Sequence, residues 1–213
     1  MQKFLSQMEW KLNRYAIRGL MKYLCIAMLG VFILDFLPLP REASEILYFS
    51  RDRILQGEIW RLVTFVLLPP TGSLLWIAIS LYFYYFLGTS LENRWGGARF
   101  NLFYLLGILC NILAGFITGY ATNHYLNLSL LLCFAMLYPE QEFMLMMFLP
   151  LKVKWIGLAD AVLLLCYFLL GSWADKLGIV VSLAPFFLFM GRDGLVEMKM
   201  MWKRLKYRMQ VRR

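Results

Sequence analysis

The chain has 213 residues and a formal net charge of +9; 61% of its residues are apolar or aromatic and 16% are charged. A soluble domain of this size carries roughly 45–50% apolar and about 25% charged residues, so lipid must be the solvent for most of this chain. The same numbers exclude a disordered chain, a collagen repeat and a coiled coil, and the distribution of the basic residues points to an anionic membrane surface rather than to nucleic acid.

Residues 1–19 form a basic segment, and an apolar run over 20–37 follows. Its length, Asp35 near its end and the lack of a small-x-small cleavage site predict a spanning helix rather than a cleaved signal peptide. Leu39-Pro40 ends it, and residues 41–58 read as a solvated loop or surface helix of mixed charge. The stretch from Ile59 to Leu68 then runs into Pro69-Pro70. It is too short to span and carries Arg61, which predicts a segment lying in or dipping into the interface. Trp60 fits the headgroup level there, and Arg61 is expected to reach water or phosphate, or to anchor the loop to carbonyls at the ends of spans. Further spans are predicted over 73–90, 100–120, 125–138, 155–170 and 178–190. Between them lie a polar loop from Glu92 to Arg99, a connection over 121–124, an apolar return over 143–148 after Pro139, and a polar turn over 171–176. The fourth span is shorter than the ~20 residues a lone helix needs, so its neighbours must shield it and a cavity must let water approach one end. Residues 193–213 form a basic amphipathic tail suited to an anionic cytoplasmic leaflet.

With the N-terminus inside, 17 Lys and Arg fall on the cytoplasmic side and 5 outside. That split favours six spans with both termini cytoplasmic, in a plasma or inner membrane. The fold class is therefore all-α, with residues 20–192 as one polytopic bundle. Cys25, Cys110, Cys133 and Cys166 each lie inside an apolar run without CxxC spacing, and the chain has one histidine. The expectation is no metal site, no disulfide framework and no cofactor.

Several segments together resemble the rhomboid-like superfamily of intramembrane proteases and derlins. Gly57-Glu58-Ile59-Trp60-Arg61-Leu62 is similar to the Trp-Arg element of the family's first loop. Phe86-Leu87-Gly88-Thr89-Ser90-Leu91-Glu92, with Arg94-Trp95-Gly96 and Arg99-Phe100, resembles the end of its second span and the next turn. Leu137-Tyr138-Pro139 and the stretch from Leu149 to Trp155 resemble the end of its fourth span and the start of its fifth. The resemblance covers roughly residues 55–190. It implies a six-helix bundle with an interfacial first loop, and in active members a serine nucleophile on the fourth span, a histidine base on the sixth and a His and Asn on the second. In this sequence those four places fall on His124 for the nucleophile, Ser182 for the base, and Trp76 and Ser80 for the second-span pair. The nearest serine to the nucleophile's place is Ser129, five positions after His124, and i,i+5 is not a facing pair on a helix.

The leading expectation is a rhomboid-like pseudoprotease without catalytic residues that binds transmembrane client segments in membrane-protein quality control or regulation. The alternatives are an active serine endopeptidase with a displaced nucleophile, and a small transporter or channel. Candidate client or interface residues are Trp60, Arg61, Trp95 and Asp160. Asp160 lies ~9 Å into the fifth span, where an acid is costly to bury; its structural alternative is a hydrogen bond to Asn111 or a tyrosine of the second span. Gly115-Phe116-Ile117-Thr118-Gly119 is expected to pack within the bundle. Glu92 with Arg94 and Arg99 is read as a polar clamp between the second and third spans. The partners expected are the lipid bilayer, client helices and anionic lipids at the tail, with no nucleic acid.

Overall fold

The structure, a computed structural model, describes residues 14, 16–38, 42–70, 73–145, 149–181 and 183–190. Most of the basic N-terminal segment, the whole of the 193–213 tail and the candidate Ser182 lie outside the described residues. In lipid a backbone must satisfy its own polar groups, which drives each long apolar run into a helix. The chain forms α1 (Leu20–Asp35), three short helices α2 (Ala43–Leu47), α3 (Arg51–Leu55) and α4 (Arg61–Thr64), and a 3₁₀ turn at Phe65–Leu67. Then come α5 (Leu74–Trp95), α6 (Gly97–Thr118), α7 (His124–Leu137), strands β1 (Glu142–Leu145) and β2 (Leu149–Lys152), α8 (Val153–Leu170) and α9 (Trp173–Met190). The fold is all-α apart from one small hairpin. By length and composition α5, α6, α8 and α9 can each cross a membrane. With 16 and 14 residues, α1 and α7 reach only ~24 and ~21 Å, against a ~30 Å hydrocarbon core.

Successive long helices alternate in direction, and specific contacts fix which ends meet. At one end the Gly19 amide donates to Glu92 Oε1 (2.7 Å), Asn101 Nδ2 donates to the Ile17 carbonyl (3.0 Å), and Trp95 lies against Phe189 of α9. At the other end Ser44, just before which the chain leaves α1, donates its amide to Asp35 Oδ1 (3.0 Å), and the Tyr120 hydroxyl donates to Asp175 Oδ1 (2.8 Å). The start of α1 and the end of α9 are thus on the same face. A single residue, Gly96, joins α5 to α6; its φ of 85° and ψ of 152° are open to glycine and strained for any other residue. Glu92 reaches further than a clamp between α5 and α6, because it holds the start of α1, while Arg94 and Arg99 lie over the rings of Tyr138 and Phe189.

The core is built from the inward faces of α5, α6 and α7: Leu87 and Leu91, Phe100, Phe103 and Tyr104, Leu126, Leu130 and Phe134. Small residues bring helices close. A Cβ on Gly88 would collide with Met21 of α1, one on Gly107 with Leu126 of α7, and one on Gly157 with Ala135 of α7. Gly115, the first glycine of the Gly-x-x-x-Gly stretch, faces Phe49 at 2.7 Å from such a Cβ, so that motif packs within the chain.

Three boundaries differ from expectation. The loop expected from Glu92 to Arg99 is helical up to Trp95 and again from Gly97, because Gly96 alone makes the turn. The stretch after Pro139 is an antiparallel hairpin pairing Phe143 with Leu151, because strand pairing satisfies backbone that the proline removed from the helix. The last helix begins at Trp173 rather than near 178, so the polar turn shrinks to Gly171-Ser172. The cause is a reciprocal cap: the Ser172 amide donates to Asp175 Oδ2 (3.0 Å) and the Asp175 amide to Ser172 Oγ (3.3 Å).

Candidate functional site: a cavity between α1, α5 and α7

The last turn of α1, the short helix α2, the first three turns of α5 and the start of α7 enclose a cavity of about 870 Å³. Asp35, Glu45, Trp76, Ser80, His124 and Asn127 are among its walls. Along α5 it runs from Trp76 to Tyr84, eight residues or ~12 Å. Below it, Met28 and Phe32 of α1 pack against Ile77 and Leu81 of α5 and close the seam between the two helices.

Its outer wall is held by side chains that bond to backbone carbonyls. Arg61 is 1% exposed. Its Nε pairs with Glu58, its Nη1 donates to the carbonyls of Glu45 and Tyr48 at 2.9 Å each, and its guanidinium lies 4.8 Å from the Tyr48 ring centre. Thr64 Oγ1 donates to the Leu47 carbonyl (3.0 Å), and Asn123 Nδ2 bridges the carbonyls of Val66 and Leu68 at 3.0 and 2.9 Å. Arg61 is turned away from water and bonds to backbone carbonyls, one of the two anchors expected for it, although they belong to the end of the short helix α2 and not to the end of a span. Its planar fork is used up by a carboxylate and two carbonyls at the end of α2, which makes burial of the charge tolerable.

Of the four places where the resembled family keeps its catalytic groups, Trp76, Ser80 and His124 share this cavity, and Ser182 lies outside the described residues. No hydrogen bond joins Ser80 to His124. Ser129 is fully buried and its Oγ donates to the Leu126 carbonyl (2.7 Å), so its proton is committed within its own helix. Trp60 neighbours the site and is half exposed, at 50%. Trp95 is at the opposite end of the molecule, its ring tilted against those of Phe103 and Phe189, and takes no part in this cavity. That same end holds Glu140, whose carboxyl is kept below its ordinary range by the hydrogen bond from Lys154, with Lys152 adding to it.

Asp160 is 5% exposed on α8, does not line the cavity, and its Oδ2 has no hydrogen-bond partner. Asn111, one of the partners expected for it, donates to the Gly107 carbonyl of its own helix at 2.8 Å. Asp35, Glu45 and Asn127 are among the lining residues that the sequence did not mark as site residues. Asp35 and Glu45 look like ordinary loop acids there, and the one signal for Asn127 was a carboxamide in a span too short to stand alone. No family model matches the chain, and no curated protein matches it by sequence.

Proposed function

We propose that the chain is a rhomboid-like pseudoprotease: a six-span protein of a plasma or inner membrane, with both termini cytoplasmic, that binds transmembrane client segments in quality control or regulation and cleaves nothing. The observation that carries this reading is the cavity of about 870 Å³, with apolar and polar walls, that Trp76, Ser80 and His124 line without a hydrogen-bonded serine and histidine. Two helices of ~24 and ~21 Å, each packed on α5 and each lining the cavity, favour local thinning of the bilayer beside it. A client helix that carries a polar group then exchanges lipid for hydrogen-bonding partners, which lowers the cost of its insertion. Trp76, 53% exposed at the mouth, supplies an apolar surface for the client's own side chains. The basic tail would hold the cytoplasmic end on anionic lipid.

A second reading, a serine-type endopeptidase, is favoured by one fact: Ser80 and the single histidine line the same cavity. One preparation separates the two. The purified full chain is treated with a fluorophosphonate probe, and in native membranes a photocrosslinker at Trp60 captures its neighbours. The expected result is no covalent labelling together with crosslinks to transmembrane proteins. Labelling that disappears in Ser80→Ala or Ser129→Ala would overturn the pseudoprotease reading.

A further inference from the structure

The cavity is asymmetric in charge. Asp35 and Glu45 both face it, and among its described lining residues there is no lysine or arginine. Arg61 beneath α2 does not offset them, since its guanidinium is already paired with Glu58 and two carbonyls. Asp35 uses one oxygen to accept from the Ser44 amide, and an ionised carboxylate has capacity for more. A second, independent feature lies deeper. Asn127 is 3% exposed, lines the cavity, and its Oδ1 has no hydrogen-bond partner. A buried acceptor in that state costs free energy until a donor reaches it. The rings of Trp76 and Tyr84 line the wall, and aromatic faces attract cations; the Tyr48 ring already holds the guanidinium groups of Arg61 and Arg53.

We infer that the group this cavity takes is the ammonium or guanidinium of a lysine or arginine in the outer half of a client's transmembrane helix; the inference rests on the client-binding reading of the same site. A basic residue inside lipid is expensive, and it has donors to give and no acceptor to receive them. Here two carboxylates near the mouth meet it first, and the unpaired Asn127 oxygen lies at the level of Tyr84, ~12 Å along α5 from Trp76. A client carboxylate entering by the same mouth meets the like charges of Asp35 and Glu45, so the cavity selects by sign.

The test uses the full chain in nanodiscs, with a photocrosslinker at the exposed Leu75 beside Trp76. The probes are single-span Leu/Ala helices with one guest residue, Lys, Arg, Leu or Glu, about one to two helical turns inside the outer end. Capture of the Lys and Arg helices is expected to exceed that of the Leu helix by about tenfold, the ratio that corresponds to 1.4 kcal/mol, with the Glu helix lowest. The double variant Asp35→Asn, Glu45→Gln keeps an oxygen for the Ser44 amide and removes both charges. It should reduce capture of the Lys helix to the Leu level while thermal stability stays at the wild-type value. If Lys and Leu helices are captured equally, or the double variant leaves the preference intact, the charge inference fails while client binding stands. If no helix is captured, both fail.

Discussion

Replacing Arg61 by lysine tests the reasoning on this site most directly, because it keeps the charge and removes the fork. The guanidinium makes three charge-assisted contacts, to Glu58 and to the carbonyls of Glu45 and Tyr48, from a position 1% exposed. A lysine ammonium on a flexible stem cannot meet all three in the same plane. Hydrogen bonds to charged groups contribute about 1.5–3 kcal/mol each, and losing the equivalent of one gives a cost of about 2 kcal/mol. Arg61→Ala should cost more, about 3–5 kcal/mol, the range for removing one partner of a buried pair. Glu58 is partly exposed, which places the value at the lower end. For a chain of this length 1 kcal/mol moves the melting temperature by roughly 2–4 °C, so Arg61→Lys should lower it by roughly 4–8 °C. The assay is thermal unfolding in detergent, with limited proteolysis of the 42–70 segment read alongside, since the loss is local to the cavity wall. A cycle with Glu58→Gln should show coupling of at least about 0.5 kcal/mol. If Arg61→Lys melts with wild type and the segment is cut no faster, the carbonyl-anchoring role is wrong.

The glycine contacts allow a comparison between two substitutions. Gly157→Ala places a methyl against Ala135 Cβ, which has no rotamer to escape through, whereas Gly107→Ala meets the end of the Leu126 side chain, which can turn. The first should cost about 2–3 kcal/mol and the second about 1 kcal/mol in the same melting assay; the reverse order would show that α7 and α8 are not held together at this point. Alternation of the long helices places the start of α1 and the end of α9 on one face, so cysteines introduced at residues 2 and 213 should be labelled by an impermeant reagent from the same side of sealed vesicles. Labelling from opposite sides would exclude six spans.

Much of the architecture was legible because it depends on local chemistry. Apolar runs, Pro139 and Pro69-Pro70 mark where helices start and stop whatever surrounds them. The error at the last helix was also local: Ser172 and Asp175 stand at the spacing of a capping box, and the polarity of 171–176 was read as a turn instead. The hairpin after Pro139 was not legible, since its short strands bond only to each other and an apolar run of that length has no distinctive period.

The site divides differently. Trp76, Ser80 and His124 were singled out as places implied by the resemblance to rhomboid-like proteins, and the fold does bring them to one cavity. Asp35, Glu45 and Asn127 joined them only in three dimensions, while Trp95 went to the far end. In a membrane protein the side chains facing lipid are as apolar as those facing the core, so the pattern that shows the inward face of a soluble helix is absent and helix rotation cannot be read from sequence. Arg61 shows the same limit for polar groups. Its acceptors are a neighbouring carboxylate and two backbone carbonyls, and every residue carries a carbonyl. The sequence by itself determined that this chain needs lipid, where its helices break, and that its only histidine lacks a serine at facing distance on its own helix. Tertiary structure alone decided which polar groups meet, because that depends on how helices with no amphipathic face turn against one another.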